Sequence, residues 1–114
     1  VKSEATSGTT GECTWRLDGT VLTISGNGKM DNYDSNYNYT YYTHDTTAPW
    51  GCSVTELVIE EGVTCIGMYA FSGCTKLTEV ILPRNLKVIQ QYAFSDCESL
   101  KTIYYEGTKK EWTV

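Results

Sequence analysis

The chain holds one histidine, His44, and no CxxC pair among its five cysteines. A zinc site of the usual Cys/His spacing is therefore not expected, and no cofactor is implied. No apolar run approaches the roughly 20 residues that a membrane helix needs, so no membrane span is expected. Basic residues are few and scattered: nine Lys and Arg stand against fourteen Asp and Glu, for a net charge of −5. That balance repels a phosphate backbone and argues against nucleic acid. No Ser or Cys motif surrounds His44, so no catalytic constellation is visible. No signal peptide opens at Val1, and the expectation is a mature form or one module of a longer chain. Phenylalanine is scarce, with two residues, while tyrosine is abundant, with nine, alongside three tryptophans. Aromatic rings with polar tips suit surfaces that bind while staying wet.

What the chain does contain is a stretch written twice. Residues 54–76, VTELVIEEGVTCIGMYAFSGCTK, align without a gap on residues 77–99, LTEVILPRNLKVIQQYAFSDCES, at a period of 23. Eight positions are identical, among them Ile66/Ile89, Tyr69/Tyr92, Ala70/Ala93, Phe71/Phe94 and Cys74/Cys97. A third copy begins at Leu100 and leaves the pattern at Lys109. This period and apolar spacing predict a short, mainly β, leucine-rich-repeat-like solenoid with parallel strands. The strands are read at 55–59, 78–82 and 102–105. Leu57, Ile59, Val80, Leu82, Ile103 and Tyr105 should point inward, and Val58, Ile81 and Tyr104 outward, with Glu56 and Glu79 in a neighbouring column. The return paths should carry Ile66, Ala70, Phe71, Cys74 and their equivalents into the core. The stretches 68–71 and 91–94 are too short for a helix and predict 3₁₀-like or short helical turns.

Around the repeats, residues 1–12 read as a linker or tail and residues 13–53 as an N-terminal cap. Within that cap, Asp18-Gly19 marks a β-hairpin between Trp15/Leu17 and Leu22/Ile24. A Tyr-rich loop follows, ended by Ala48-Pro49-Trp50. The repeats occupy 54–108, and 109–114 reads as a C-terminal tail in which Lys109 could begin a helix. Cys74 and Cys97 share one repeat position. They are expected to stack as buried thiols, with a bridge between them as the sharper alternative.

The repeats IGMYAFSGCTKLTEVILP and IQQYAFSDCESLKTIYY resemble BspA-type leucine-rich repeats, also called type 5. The hairpin, the APW triplet and the closing YYEGTKKEW are similar to segments that flank such arrays. The resemblance implies a bacterial protein that is secreted or displayed on the cell surface. It also implies a role in binding or adhesion, without catalysis.

The functional reading rests on the insert before APW. Five tyrosines fall within ten residues there, alternating with Asn, Asp, Ser and Thr. Flat rings beside amides and hydroxyls suit polysaccharide. The expected contacts are Tyr33, Tyr37, Tyr39, Tyr41, Tyr42 and Tyr104, with Trp112, and with Asn36 and Asn38 reading hydroxyls. Trp15 and Trp50 are expected in the core. A protein-interaction or adhesion domain is the alternative. Glu56 and Glu79 would lie about 5 Å apart, but a repeat makes such a ladder without any chemistry, and no enzyme is expected.

Overall fold

A computed structural model of the protein describes residues 6–40, 42–105 and, as backbone, 108–111. Among the described residues the regular elements are strands, and there is no helix. They are β1 (Ser7–Thr10), β2 (Cys13–Asp18), β3 (Val21–Gly26), β4 (Gly28–Lys29), β5 (Ser35–Asn38), β6 (Thr43–Thr46), β7 (Glu56–Ile59), β8 (Val63–Ile66), β9 (Glu79–Leu82), β10 (Val88–Ile89), β11 (Thr102–Tyr105) and β12 (Thr108–Glu111).

The main sheet runs β1-β2-β3-β7-β9-β11-β12. Its centre is parallel: β3 on β7, β7 on β9, β9 on β11. Its flanks are antiparallel, with β1 and β2 on one side and β12 on the other. A second sheet, β10-β8-β4, forms another wall of the solenoid, and β5 and β6 pair alone as a hairpin. Alternation along each parallel strand is as expected. Leu57, Ile59, Val80, Leu82 and Ile103 are buried, while Val58, Ile81 and Tyr104 reach the outer face.

The core is assembled coil upon coil. Trp50, Phe71 and Phe94 stack face to face, with successive ring centroids 5.4 Å apart. Trp15 meets Trp50 edge-on at 5.8 Å, and the Trp50 indole Nε1 donates to the Ala70 carbonyl at 2.9 Å. Both tryptophans are therefore core residues, as expected, and the indole N–H is satisfied within the core.

Several expectations need correction. Residues 7–10 are no tail: Gly11, at a φ of 64°, turns the chain so that β1 lies back on β2, and Thr10 becomes buried. Residues 108–111 start no helix: they pair antiparallel with β11 and close that edge of the main sheet. The return paths hold the expected 3₁₀-type turns, but these do not join into a continuous helix. The amides of Ala70, Ser72 and Cys74 donate to the carbonyls of Gly67, Tyr69 and Phe71, which are successive separate turns. Tyr69 and Tyr92, at φ 57° and 64°, are left-handed and break each turn before it can wind on. Ile89 does not match buried Ile66: it is 42% exposed, because β10 is the edge strand of its sheet.

Candidate functional site

β3 does more than cap the array. It pairs in parallel with β7 and is the first rung of the solenoid. Paired positions are 35 residues apart between β3 and β7 but 23 apart between β7 and β9 and between β9 and β11. The first coil is thus a repeat with a segment inserted into its return path. That segment is the Tyr-rich stretch, and Trp50 resumes the ring stack once it has ended.

The insert folds as the β5–β6 hairpin, in register Asn36 to Asp45, Tyr37 to His44 and Asn38 to Thr43. Asn38 organises its tip. The Asn38 side-chain oxygen accepts from the Thr40 amide at 2.9 Å, and its backbone carbonyl accepts from the Tyr42 amide at 2.7 Å. The Asn38 amide group donates to Asp45 at 3.0 Å, and the Thr43 hydroxyl donates to the same carboxylate at 2.7 Å. These bonds force Tyr42 to a φ of 60° and turn its ring outward. Tyr39 and Tyr42 are 80% and 75% exposed, and Tyr37 is 41% exposed. The Tyr37 ring sits between Tyr39 and His44, with centroids 4.9 and 5.0 Å away.

The base of the hairpin is fastened to both later coils. The Thr46 amide donates to the Ser72 carbonyl at 2.8 Å, and the Ser72 hydroxyl donates to the His44 carbonyl. The His44 amide donates to the Asp96 carboxylate at 2.7 Å. Gly73 leaves the room for this docking, since a Cβ there would lie 2.7 Å from the Asp45 Cα. Asp96 occupies the same repeat position as Gly73, and both are left-handed, at φ 61° and 77°.

The expected contact residues divide into groups. Tyr37, Tyr39, Tyr42 and Asn36 share the exposed end of the hairpin. Tyr33 does not: its ring packs edge-on against Trp50 at 5.3 Å, and its hydroxyl bonds the buried Thr10 hydroxyl at 2.7 Å. Burial pushes the Tyr33 phenol above its ordinary range. Asn38 is engaged within the hairpin, so its side chain builds the tip. Tyr104 stands on the outer face of the main sheet, a different wall from the hairpin. Tyr41 and Trp112 lie outside the described residues.

A second surface is the outer face of the main sheet. Thr23, Val58, Ile81 and Tyr104 run across it in register. Where β7 and β9 end, Val58, Ile81 and Pro83 line an open groove of about 710 Å³, with Glu60, Glu61 and Arg84 at its rim. The Arg84 amide donates to the Glu61 carboxylate at 2.8 Å, tying the loop of one coil to the next. Sequence reasoning missed this groove and the Asp96 clasp. The substitution of Asp for Gly at one repeat position was the available signal for the clasp.

Among the described residues no cluster of three or more His, Cys, Asp or Glu could hold a metal ion. Nor is any helix among them long and apolar enough to cross a membrane.

Residues 46–112 match the family model of the BspA type leucine rich repeat region (6 copies). The chain is also similar to a leucine-rich repeat protein from Eubacterium ventriosum known by crystal structure. The TM-score is 0.66 at 24% identity, over 91% of this chain and 27% of that one, so this chain spans about a quarter of that protein's length. No curated protein matches the chain.

Proposed function

The chain belongs to the BspA-type leucine-rich repeat family, and from that premise we propose that it is a non-catalytic binding module of a secreted or cell-surface bacterial protein, with polysaccharide as its ligand. The observation that carries this reading is the hairpin tip. Tyr37, Tyr39 and Tyr42 are all exposed at the end of one short hairpin, with their rings outside the core. Rings held out in water gain nothing for folding, whereas a sugar face laid on them recovers apolar burial. Asn36 is exposed on the other face of the same strand, where its amide offers a donor and an acceptor to hydroxyls.

Affinity per site should be weak, because an open platform buries little ligand and must order a flexible chain. It should also vary little with salt, because a neutral glycan presents no charge to screen. Calorimetry against β-glucans, xyloglucan, mannans and pectin tests the reading. The variant for comparison is Tyr39→Ala/Tyr42→Asn, since Asn tolerates the left-handed backbone at residue 42. Heat with one glycan for the wild type, lost in the variant at unchanged stability, supports it. Silence with every glycan removes the sugar from the proposal.

A protein partner is the second reading, favoured by the outer-face groove. Val58 and Ile81 offer apolar surface rimmed by charge, which is the composition of a docking patch. Capture of a protein that is abolished by Ile81→Lys and indifferent to the Tyr substitutions would transfer the function to that face.

A further inference from the structure

Three of the five cysteines occupy one strip of the solenoid. Trp50-Gly51-Cys52 in the first coil, Cys74 in the second and Cys97 in the third follow the stacked rings Trp50, Phe71 and Phe94. Their thiols are not oriented alike. The Cys52 thiol donates to the Ser72 carbonyl at 3.6 Å, and the Cys74 thiol donates to the Gly51 carbonyl at 3.7 Å. Each therefore leans toward the backbone of the other's coil, which brings the two side chains together at the boundary between the coils. Cys97 is set differently: its thiol donates to the Phe71 carbonyl at 3.1 Å, and its sulfur faces the backbone of Cys74. Cys13 and Cys65 bond to the Gly28 and Ile66 carbonyls, on the second-sheet wall.

Accessibility separates the pair further. Cys13, Cys65, Cys74 and Cys97 are buried, and Cys52 is the most accessible of the five. An oxidant can meet Cys52 first, with Cys74 directly behind it.

We propose that Cys52 and Cys74 are an oxidisable pair, and that a disulfide between them staples the insert-bearing first coil to the second. The oxidant is a small soluble disulfide. The Cys52 thiolate attacks one sulfur of that disulfide and expels the other half as a thiolate, leaving a mixed disulfide on Cys52. Cys74, losing its proton, then attacks the Cys52 sulfur and expels the second half. Two protein thiols become one protein disulfide, and the small disulfide is reduced to two thiols. The order of events follows the acidities. The Cys74 thiol bonding to Cys52 lowers the Cys52 pKa, whereas that same bond and burial hold Cys74 protonated until Cys52 has reacted.

This choice replaces the Cys74–Cys97 bridge expected as the sharper alternative, since Cys74 and Cys97 are both buried and that pair offers an oxidant no accessible thiol, whereas Cys74 leans to the coil of the accessible Cys52. The bond would close the chain from residue 52 to residue 74, across one whole repeat. It would also fasten the segment directly after the hairpin, independently of the hairpin's own sequence.

The test is incubation of the reduced protein with oxidised glutathione, followed by alkylation, chymotryptic digestion and mass spectrometry without reduction. Cleavage after Trp50, Leu57, Phe71 and Leu77 separates Cys52 from Cys74. The expected product is peptide 51–57 joined to peptide 72–77, with denatured thiols falling from five to three. Cys52→Ser should retain all four of its thiols under the same treatment. The proposal is overturned by a Cys74–Cys97 peptide, by glutathione that stays on Cys52, by a Cys52 bridge between two molecules, or by five surviving thiols. The wild-type measurement decides alone if the variant does not fold.

Discussion

The backbone amide of His44 lies 2.7 Å from the carboxylate of Asp96, fifty-two residues along the chain. The bond spans from the insert in the first coil to the third coil, passing over Gly73, whose missing side chain opens the way. Asp96→Ala should free the hairpin base while leaving the ring stack intact. The stability loss should be about 1–2 kcal/mol, from one exposed hydrogen bond to a charge together with the cost of alanine in a left-handed backbone. Amide exchange should quicken at residues 43–46 and stay slow in β7 and β9. Asp96→Asn, which keeps an acceptor and suits a left-handed backbone, should restore the slow exchange. Equal exchange in wild type and Asp96→Ala would mean that the clasp does not hold the hairpin.

Phe71 has no exposed surface and is sandwiched between Trp50 and Phe94. Phe71→Ala should leave a cavity flanked by rings that cannot collapse onto each other, at a cost of about 3–5 kcal/mol. That is a large share of the stability a small domain has, about 5–15 kcal/mol. Urea denaturation reads it, and a loss below about 1 kcal/mol would contradict the stacking described.

Tyr33 is the tyrosine of the insert that should matter for folding and not for ligand. Tyr33→Phe removes the hydroxyl bonded to Thr10 and leaves the edge-on packing against Trp50. The expected loss is about 1 kcal/mol in stability. Any glycan heat should be unchanged. A weakened ligand response with normal stability would instead put this hydroxyl in contact with ligand.

Alkaline pH should loosen the reduced protein. Burial pushes the Cys97 thiol from its ordinary 9.0 up to about 12, and burial likewise raises Cys13 and Tyr33. Above an ordinary thiol pKa the unfolded chain loses these protons while the folded chain keeps them. Stability present below about 9 is therefore progressively lost as pH rises toward 12. Urea midpoints under reducing conditions at about pH 8 and about pH 10.5 should differ in that direction. Cys97→Ala should shrink the difference, and an unchanged difference would assign the alkaline loss to other groups.

The repeat was legible because its rule is local: a period of 23 with fixed apolar positions states which side chains of β7, β9 and β11 face inward. The first rung was harder to see. Leu22 and Ile24 hold the places of Leu57 and Ile59, but the longer first coil hides the period. Ile89 misled for the opposite reason. It copies Ile66 in sequence, yet burial depends on whether a further strand covers it, which no residue of its own can say. At the hairpin, composition singled out the Tyr-rich stretch without separating Tyr33 from Tyr39. One hydroxyl meets a buried threonine and the other ring meets water, and only the fold decides between them. Tyr104 illustrates the same limit: it was grouped with the insert by residue type, and the strand register sets it on another wall.

The first coil is longer than its neighbours, yet Trp50 still stacks on Phe71 and β3 still registers on β7. The extra chain leaves and rejoins at one corner, where lengthening a loop costs only about 0.6 kcal/mol for each doubling. That corner is consequently a graft point. A foreign loop, epitope or reporter could be transplanted at the hairpin tip between Asn38 and Thr43, leaving Tyr33 and the docked base in place, and the rings on either side would serve as the splint that keeps the coils aligned.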